Sequence, residues 1–443
     1  MKFPDRILLL YGYHRGTTAH AVERALRTRC EVFAVGPGHP ETETSMECGP
    51  VAALDEILGR LKGRFQPEVL FVLESGKRFF PHGLADAPLP CWYYAIDPHF
   101  NLPWQREYAK LFDQVFVTFR QYLDEFKMLG HSGIHWLAHG FDHRFYRDHR
   151  LERTLDVAFV GDMDPERRPQ RMKLINALGE SGLNTHFTSG IWNEEVARLY
   201  SRSRMVFNDN DQQVLNPRNF EGSACGAVVL ANSAVDLETF FTPGQDLLLY
   251  ADPRDLVKQA RQLAADPARW QALSARARDT AARNSWERRI ETLAELVDAW
   301  QPPAQSPFQR SDRIKAHAFT YFHRGLSGQT ILLLDQLQRE VGADPEIHLI
   351  KAMAYLAHEK HPAAAEELFQ LLEADPPPAL LQQVGEILVS TFTEAHHRRG
   401  ALLLARVLPN PTLDQKRRLT RLLTQGGVPL PDDLASRLAP MAT

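Results

Sequence analysis

The residues best suited to chemistry lie in one short segment of the second half of the chain. Arg218 and Glu221 are three positions apart on a predicted short helix that begins after Pro217, so both side chains lie on one face. A guanidinium binds phosphate oxygens, and a carboxylate can accept hydrogen bonds from two ribose hydroxyls. The pair suits a nucleoside diphosphate. On spacing alone, an ordinary helix ion pair is the commoner interpretation.

A second candidate is Asp97, which directly follows the apolar run Trp92–Ile96 and precedes Pro98. An acidic residue just past a buried strand lies at the edge where open α/β sheets bind ligands. There it could orient or deprotonate a substrate hydroxyl. The alternative is a structural turn, because Asp before Pro commonly starts one.

A glycine-containing turn follows the first predicted strand. It carries Gly12, His14, Gly16 and Thr17 and opens a helix, which lets backbone N–H groups approach an acceptor or a phosphate. The full G-x-G-x-x-G spacing is absent, so a dinucleotide site is not indicated. A purely structural turn is the alternative.

Two patterns suggest a metal but do not predict one. Four histidines recur at every fourth position from His131 to His143, yet glycines within that stretch would break the helix that such a stripe needs. Two Asp-x-Asp strings, Asp162 to Asp164 and Asp209 to Asp211, are expected by chance in a chain of this composition. We therefore predict no metal site.

The elements that position these residues alternate between short apolar strands and helices up to about residue 285. Continuous apolar strands separated by helices indicate parallel sheets covered on both faces. We predict two tandem Rossmann-like domains, over residues 1–150 and 151–300, in an α/β fold with the ligand cleft between them.

Beyond residue 300 the pattern changes. Three prolines in Gln301–Pro307 cannot continue a helix, so residues 301–310 are a predicted linker. Residues 311–443 show only helical patterns, and Ile347–Leu356 with Pro362–Leu372 has the alternation of small and large residues typical of a packed helical hairpin. This all-α region resembles tetratricopeptide-type repeats, with a plain helical bundle as the alternative.

Composition limits the possible partners. The 443 residues have a net charge of −4 and are 44% hydrophobic, as expected for globular domains and not for a nucleic-acid-binding protein. No stretch approaches the roughly 20 apolar residues of a membrane span. Four cysteines without C-x-x-C spacing favour a reducing compartment, and we expect the cytoplasm.

The segment Arg218–Gly226 resembles the donor-binding motif of GT-B glycosyltransferases. It is most similar to the CgeB-like group of spore maturation proteins, in which Arg-x-Phe-Glu precedes Ala-Cys-Gly. Asp156–Gly161 and Glu238–Tyr250 are similar to further elements of that group, and the resemblance covers roughly residues 89–300. The chain departs from many GT-B enzymes at Gln213, where a second Glu is usual, and at Asp162, where Arg is usual.

The resemblance implies metal-independent sugar transfer from a UDP-, GDP- or dTDP-sugar, without any other cofactor. It implies that the first domain is the acceptor side and that the second binds the nucleotide. Glu221 would then hold the ribose, Arg218 and Arg167 would bind the diphosphate, and Asp97 or His139 would contact the reacting groups. Three further residues, Asn219, Gly161 and Gly226, belong to the implied donor site. Whether the anomeric centre is inverted or retained does not follow.

Helical repeats present extended binding surfaces, so residues 311–443 suggest a protein acceptor or partner. Flagellin or another surface protein is the expected acceptor, with a surface glycan as the alternative. Two other functions stay open: a sugar epimerase that uses the same donor site, and a non-catalytic interaction protein that binds through its helical tail.

Overall fold

A computed structural model describes residues 2–391, 398–408, 410–425 and 432–438. Contacts divide the chain into two compact units, Met1–Pro307 and Phe308–Thr443. The first unit contains two parallel sheets with helices around them. The second is helical. The predicted fold class, two Rossmann-like domains followed by an all-α region, is confirmed.

The first sheet has seven parallel strands in the order β3-β2-β1-β4-β5-β6-β7. Its central strands are continuous apolar runs and are almost entirely buried, because helices cover both faces. The strands are β1 (Arg6–Leu10), β2 (Glu31–Val35), β3 (Ser45–Met46), β4 (Val69–Leu73), β5 (Cys91–Ala95), β6 (Gln114–Val117) and β7 (Ile134–Trp136). The intervening helices are α1 (Thr18–Leu26), α2 (Leu54–Leu61), α3 (Pro98–Tyr108) and α4 (Leu123–Lys127).

The second sheet has five parallel strands in the order β12-β11-β10-β8-β9. Its strands are β8 (Leu155–Val160), β9 (Thr185–Thr188), β10 (Ser203–Asn208), β11 (Val228–Ala231) and β12 (Leu247–Leu249). The helices are α5 (Pro169–Gly179), α6 (Glu194–Ser201), α7 (Arg218–Ala224), α8 (Leu237–Phe240), α9 (Pro253–Ala264) and α10 (Pro267–Ala282).

The helix α11 (Trp286–Ala299) returns the chain to the first domain. Trp286, Ile290 and Leu293 are buried in the hydrophobic core of the first sheet, and the Trp286 ring meets that of Tyr94 edge-on at 6.2 Å between centroids. The sequence groups this helix with residues 151–300, because an amphipathic pattern shows that a face is buried but not which sheet buries it. The two domains are thus joined twice.

The second unit is built of consecutive helices. They are α12 (Arg310–His323), α13 (Ser327–Val341), α14 (Pro345–Leu356), α15 (His361–Glu373), α16 (Pro378–Thr391), α17 (Arg398–Val407), α18 (Leu413–Gln425) and α19 (Asp432–Leu438). The predicted hairpin is α14 with α15, where Ala352, Ala364 and Ala365 are buried. Within the described ranges, no helix combines the length and the apolar character that crossing a membrane requires.

Because α11 belongs to the first core, we expect Trp286→Ala to lower the free energy of unfolding by about 3–5 kcal/mol, as for other buried aromatic side chains. Urea unfolding followed by circular dichroism measures the change. Met128→Ala is the control, since Met128 is 78% exposed in the same unit. Equal stability of both variants would contradict this placement of α11.

Candidate functional site

The carboxyl ends of the two sheets face each other across a cavity of about 580 Å³. Loops that follow β1, β5, β6 and β7 line it from the first domain, and loops that follow β8, β9 and β10, together with α7, line it from the second. Seven of the predicted site residues line this cavity: Gly16, Asp97, His139, Gly161, Arg167, Arg218 and Glu221.

Arg218 is fixed by the ends of two strands. Its Nε and Nη2 donate to the Val160 carbonyl oxygen at 3.1 and 2.9 Å, and its Nη1 donates to Asn208 Oδ1 at 2.7 Å. The guanidinium also lies over the Phe159 ring, 4.7 Å from its centroid. A Cβ at Gly161 would come within 2.8 Å of Arg218 Nη2. The glycine is therefore required to seat the guanidinium at the cavity wall.

Five hydrogen-bonded asparagines hold in place the residues that contact Arg218, Asn208 among them. The Asn210 Oδ1 accepts hydrogen bonds from the side-chain amides of Asn208, Asn216 and Asn219 at 2.9–3.3 Å. The Asn210 backbone N–H donates to Asn232 Oδ1 at 2.6 Å. Asn219, predicted to bind the donor, is fully buried in this cluster and does not line the cavity. It therefore positions the loop before α7.

Glu221 does not form the ordinary ion pair that its spacing from Arg218 allows. Arg218 and Glu221 form no ion pair within 4.0 Å, and the Tyr146 hydroxyl interacts with the carboxylate. Burial raises the pKa of Glu221 to about 7, although the charge of Arg218 and the Tyr146 hydroxyl act against that rise. A buried carboxylate with a raised pKa facing a cavity is typical of a functional group. Tyr146, from the connection between the domains, was not identified from the sequence.

Positive charge gathers where α5 begins. Arg167 pairs with Asp162 at 3.0 Å and with Asp164 at 3.1 Å. The other pairs are Arg168 with Asp211 and, at 3.2 Å, Arg171 with Asp209. Arg168 and Arg171 line the cavity but were not predicted. The two Asp-x-Asp strings thus supply partners for arginines at the N-terminus of an 11-residue helix, where the helix dipole also favours anions.

Asp97 occupies a strained position at the first-domain wall. Its φ of 55° and ψ of 48° are left-handed, which is unusual before a proline. It stands at the N-cap of α3, yet its side chain caps no N–H, and the described residues give its carboxylate no hydrogen-bond partner. Burial raises its pKa to about 6. The carboxyl group is therefore directed into the cavity instead of into the helix end.

Two histidines lie beside Asp97. His139, which was predicted, and His99, which was not, both line the cavity, and each has a buried Nδ1 without a hydrogen-bond partner among the described residues. Burial lowers the pKa of His139 to about 3 and that of His99 to about 4, so both imidazoles are neutral at physiological pH. Each ring packs against Phe119, at centroid distances of 5.3 Å for His99 and 5.5 Å for His139.

The remaining predicted residues lie outside the main cavity. In the first loop, Gly12 N donates to Ser75 Oγ at 3.1 Å, His14 Nε2 contacts the Ser75 carbonyl oxygen at 2.8 Å, and Thr17 precedes α1. Of these four loop residues, only Gly16 lines the cavity. A Cβ added to Gly16 would lie 2.4 Å from the ring of Trp192 in the second domain, so a side chain at this position would clash. Gly226 ends α7 with a φ of 75° and lies next to Arg153, so it is a structural turn.

The raised pKa of Glu221 predicts a stability effect. The folded pKa of about 7 lies above the usual 4.5, so the stability that the protonated carboxyl contributes is complete below pH 4.5 and is lost as pH rises through 7. We expect Glu221→Gln to be more stable than the parent at pH 8, by about 2–3 kcal/mol, and to differ less at pH 5. Urea unfolding at both pH values measures this, with exposed Glu195→Gln as the control. A Glu221→Gln variant that is less stable at pH 8 would contradict the assignment.

Comparison with known proteins finds one partial family match and several structures of similar fold. Residues 145–295 match the family described as glycosyl transferase-like. The Anabaena protein HepE, in complex with UDP-glucose, superposes with a TM-score of 0.51 at 14% identity, covering 67% of this chain and 100% of that one. The sucrose-phosphate synthase of Thermosynechococcus elongatus gives a TM-score of 0.48 at 14% identity, covering 67% and 98%. No curated protein matches the chain by sequence. The family match thus covers about a third of the chain, and the likeness to HepE extends over both α/β domains and shows a shared GT-B fold.

Proposed function

We propose that the chain transfers a sugar from a nucleotide-sugar donor to an acceptor hydroxyl in the cleft between its two Rossmann-like domains. The observation that carries this proposal is the half-buried Glu221 carboxylate, which shares one cavity with four arginines: Arg167, Arg168, Arg171 and Arg218. A carboxylate and clustered guanidinium groups are the partners that a ribose and a diphosphate require.

In the proposed donor complex, Glu221 accepts hydrogen bonds from two ribose hydroxyls. The diphosphate lies at the N-terminus of α5 and replaces carboxylates that now pair with Arg167 and Arg168. Arg218 keeps its bonds to Val160 and Asn208 and contributes a fixed positive charge. Stabilising the negative charge that develops on the leaving diphosphate is the main electrostatic task of such a site. These arginines can perform it without a metal ion.

Asp97 is the proposed general base that removes the proton of the acceptor hydroxyl. A carboxyl group with a pKa of about 6 is near the optimum for general-base work at neutral pH, and the described residues give it no competing hydrogen bond. The neutral imidazoles of His99 and His139 offer Nδ1 atoms that can bond sugar hydroxyls. The donors to test first are UDP-, GDP- and dTDP-sugars, beginning with UDP because HepE is in complex with UDP-glucose.

For the acceptor, we propose a protein such as flagellin, bound through the helical unit, with a surface glycan as the alternative. All four cysteines are free, which supports a reducing environment such as the cytoplasm. The proposal includes two more specific assignments: the α/β region is similar to CgeB-like proteins, and the helical unit is similar to tetratricopeptide repeats.

An epimerase remains the second candidate, since Asp97, His99 and His139 provide several titratable groups at one wall of the cavity. Incubation with the donor alone separates the two functions. An epimerase converts the sugar without any acceptor, and a transferase does not. Transfer or hydrolysis of the donor would exclude a purely non-catalytic interaction protein.

The ribose role of Glu221 predicts that donor affinity rises with pH. An ionised carboxylate accepts both hydroxyl hydrogen bonds, whereas a protonated one has less acceptor capacity. We expect UDP affinity, measured by calorimetry, to be about tenfold weaker at pH 6 than at pH 8, given a pKa of about 7. Glu221→Gln should bind at least tenfold more weakly at pH 8 and without this pH dependence.

Gln213→Ala is the matched control, because Gln213 is exposed and stands where many GT-B enzymes carry a second Glu. GDP and dTDP are titrated in parallel so that the choice of base does not decide the outcome. Equal affinity of the Glu221→Gln variant and the parent would refute the ribose assignment.

The role of Asp97 predicts a separation of binding from turnover. Asp97→Asn keeps the shape of the side chain but removes the base, so we expect kcat to fall by roughly 10²–10⁴ while the donor Kd stays within about twofold. Release of nucleoside diphosphate in the presence of acceptor measures kcat. An Asp97→Asn variant with the parent's kcat would show that Asp97 is only a turn residue.

A further inference from the structure

A pair of cations stands outside the donor cavity, on the first domain. Lys77 and Arg78 belong to the loop that follows β4, at the same edge of the sheet as the loop that precedes α1. Both side chains are exposed. Neither forms an ion pair or a side-chain hydrogen bond with the part of the chain that the structure describes.

Lys77 is held in place by the backbone around it. A Cβ added to Gly12 would lie 2.6 Å from Lys77 Cβ, and one added to Gly38 would lie 2.8 Å from Lys77 Nζ. The stem of the lysine therefore crosses Gly12, and its ammonium group sits beside Gly38. An exposed lysine is normally free to move, whereas this one lies where three loops meet. Gly12, which the sequence assigns to an acceptor or phosphate loop, leaves room for the lysine stem.

The carboxylates nearest to this loop are already engaged. Glu47 accepts from the Gly38 N–H at 3.2 Å, and Glu74 accepts from the Gly76 N–H at 2.7 Å. Glu195 pairs with Arg15 at 3.1 Å. These carboxylates keep their negative charge, but no carboxylate of the described residues lies within 4.0 Å of a Lys77 or Arg78 nitrogen. Both cations are therefore open to an external anion.

We propose that Lys77 and Arg78 bind the carboxylate or phosphate of an acidic saccharide acceptor. The inference rests on the proposed transferase function, with the first domain receiving the acceptor, and it favours the surface glycan over the protein as that acceptor. A saccharide fits because two exposed aromatic side chains of the described residues, Phe100 at 52% and Trp192 at 43% exposure, line the cavity between the two α/β domains. Exposed aromatic faces pack well against the C–H faces of sugar rings, and such apolar patches mark binding sites.

A printed glycan array tests the proposal on the full chain with saturating UDP, which occupies the donor site. The array carries matched glycans that are neutral, that contain a uronic acid, or that carry a sugar phosphate, together with acidic peptides. We expect the parent to retain acidic glycans over neutral ones, and this preference to weaken at high salt. Lys77→Gln combined with Arg78→Gln should reduce that retention at least tenfold.

Two further variants control for folding and for charge alone. Lys62→Gln with Arg64→Gln removes the same charge from the opposite edge of the same domain and should leave retention unchanged. Gly12→Ala keeps both charges but displaces Lys77, so it should weaken retention as well. UDP binding by every variant shows that the donor site is intact.

The uronate and phosphate arms of the array identify which oxyanion is bound. Equal retention of neutral and acidic glycans would overturn the proposal, as would retention only of acidic peptides, or full retention by the Lys77 and Arg78 double variant. If the parent binds no nucleoside diphosphate at all, the proposed function itself fails. If UDP binds but the double variant behaves like the parent, only the acceptor inference fails.

Discussion

The second domain is organised around a half-buried carboxylate, that of Glu221. Removing Glu221 from water disfavours its charged form, and the domain compensates only in part, with a tyrosine hydroxyl and a nearby guanidinium. That guanidinium is itself held by the ends of β8 and β10, through Val160 and Asn208. The helix α7, the Gly161 turn and the asparagine cluster all serve this placement. An acidic group kept in this way is poorly suited to stability and well suited to a ligand with hydroxyl groups.

The other charged side chains of the cavity neutralise one another in arginine–aspartate ion pairs. Each arginine near the start of α5 faces an aspartate, so the ligand-free protein does not carry an unpaired cluster of like charges. A diphosphate offers more oxygens than one carboxylate and can engage several guanidinium groups at once. The same pairs that stabilise the empty cleft are thus exchangeable for a donor. This explains why two Asp-x-Asp strings occur beside a site for which the arginines supply the positive charge.

Much of this could be predicted from the sequence, and the reasons for the rest are physical. Continuous apolar runs identify buried parallel strands, so the two-domain fold and the convergence of Asp97, Arg218 and Glu221 at the strand ends follow from pattern and topology. Tertiary contacts decide which loop side chains turn into the cavity, so the sequence did not identify His99, Tyr146 and Arg168. For the same reason, the sequence assigned Asn219 to the donor site, whereas its side chain is buried behind the cavity wall. The return of α11 to the first core was hidden for the same reason, since its pattern does not name its partner sheet.

Backbone strain occurs on both walls of the cavity and connects fold to function. Asp97 in the first domain and the consecutive Gln212 and Gln213 in the second adopt left-handed conformations, which cost non-glycine residues roughly 1–3 kcal/mol each. Asp97 forgoes the N-cap bond that would ordinarily offset that cost. Gln212 and Gln213 follow Asp211, the residue that pairs with Arg168. Surrounding contacts must hold both positions: the Gln105 amide bonds the carbonyl of Ile96 beside Asp97, and the asparagine cluster anchors the loop before Gln212. At these three positions the strain lies in or next to cavity-lining segments of the two domains, and the sheets behind them keep the polar groups in place.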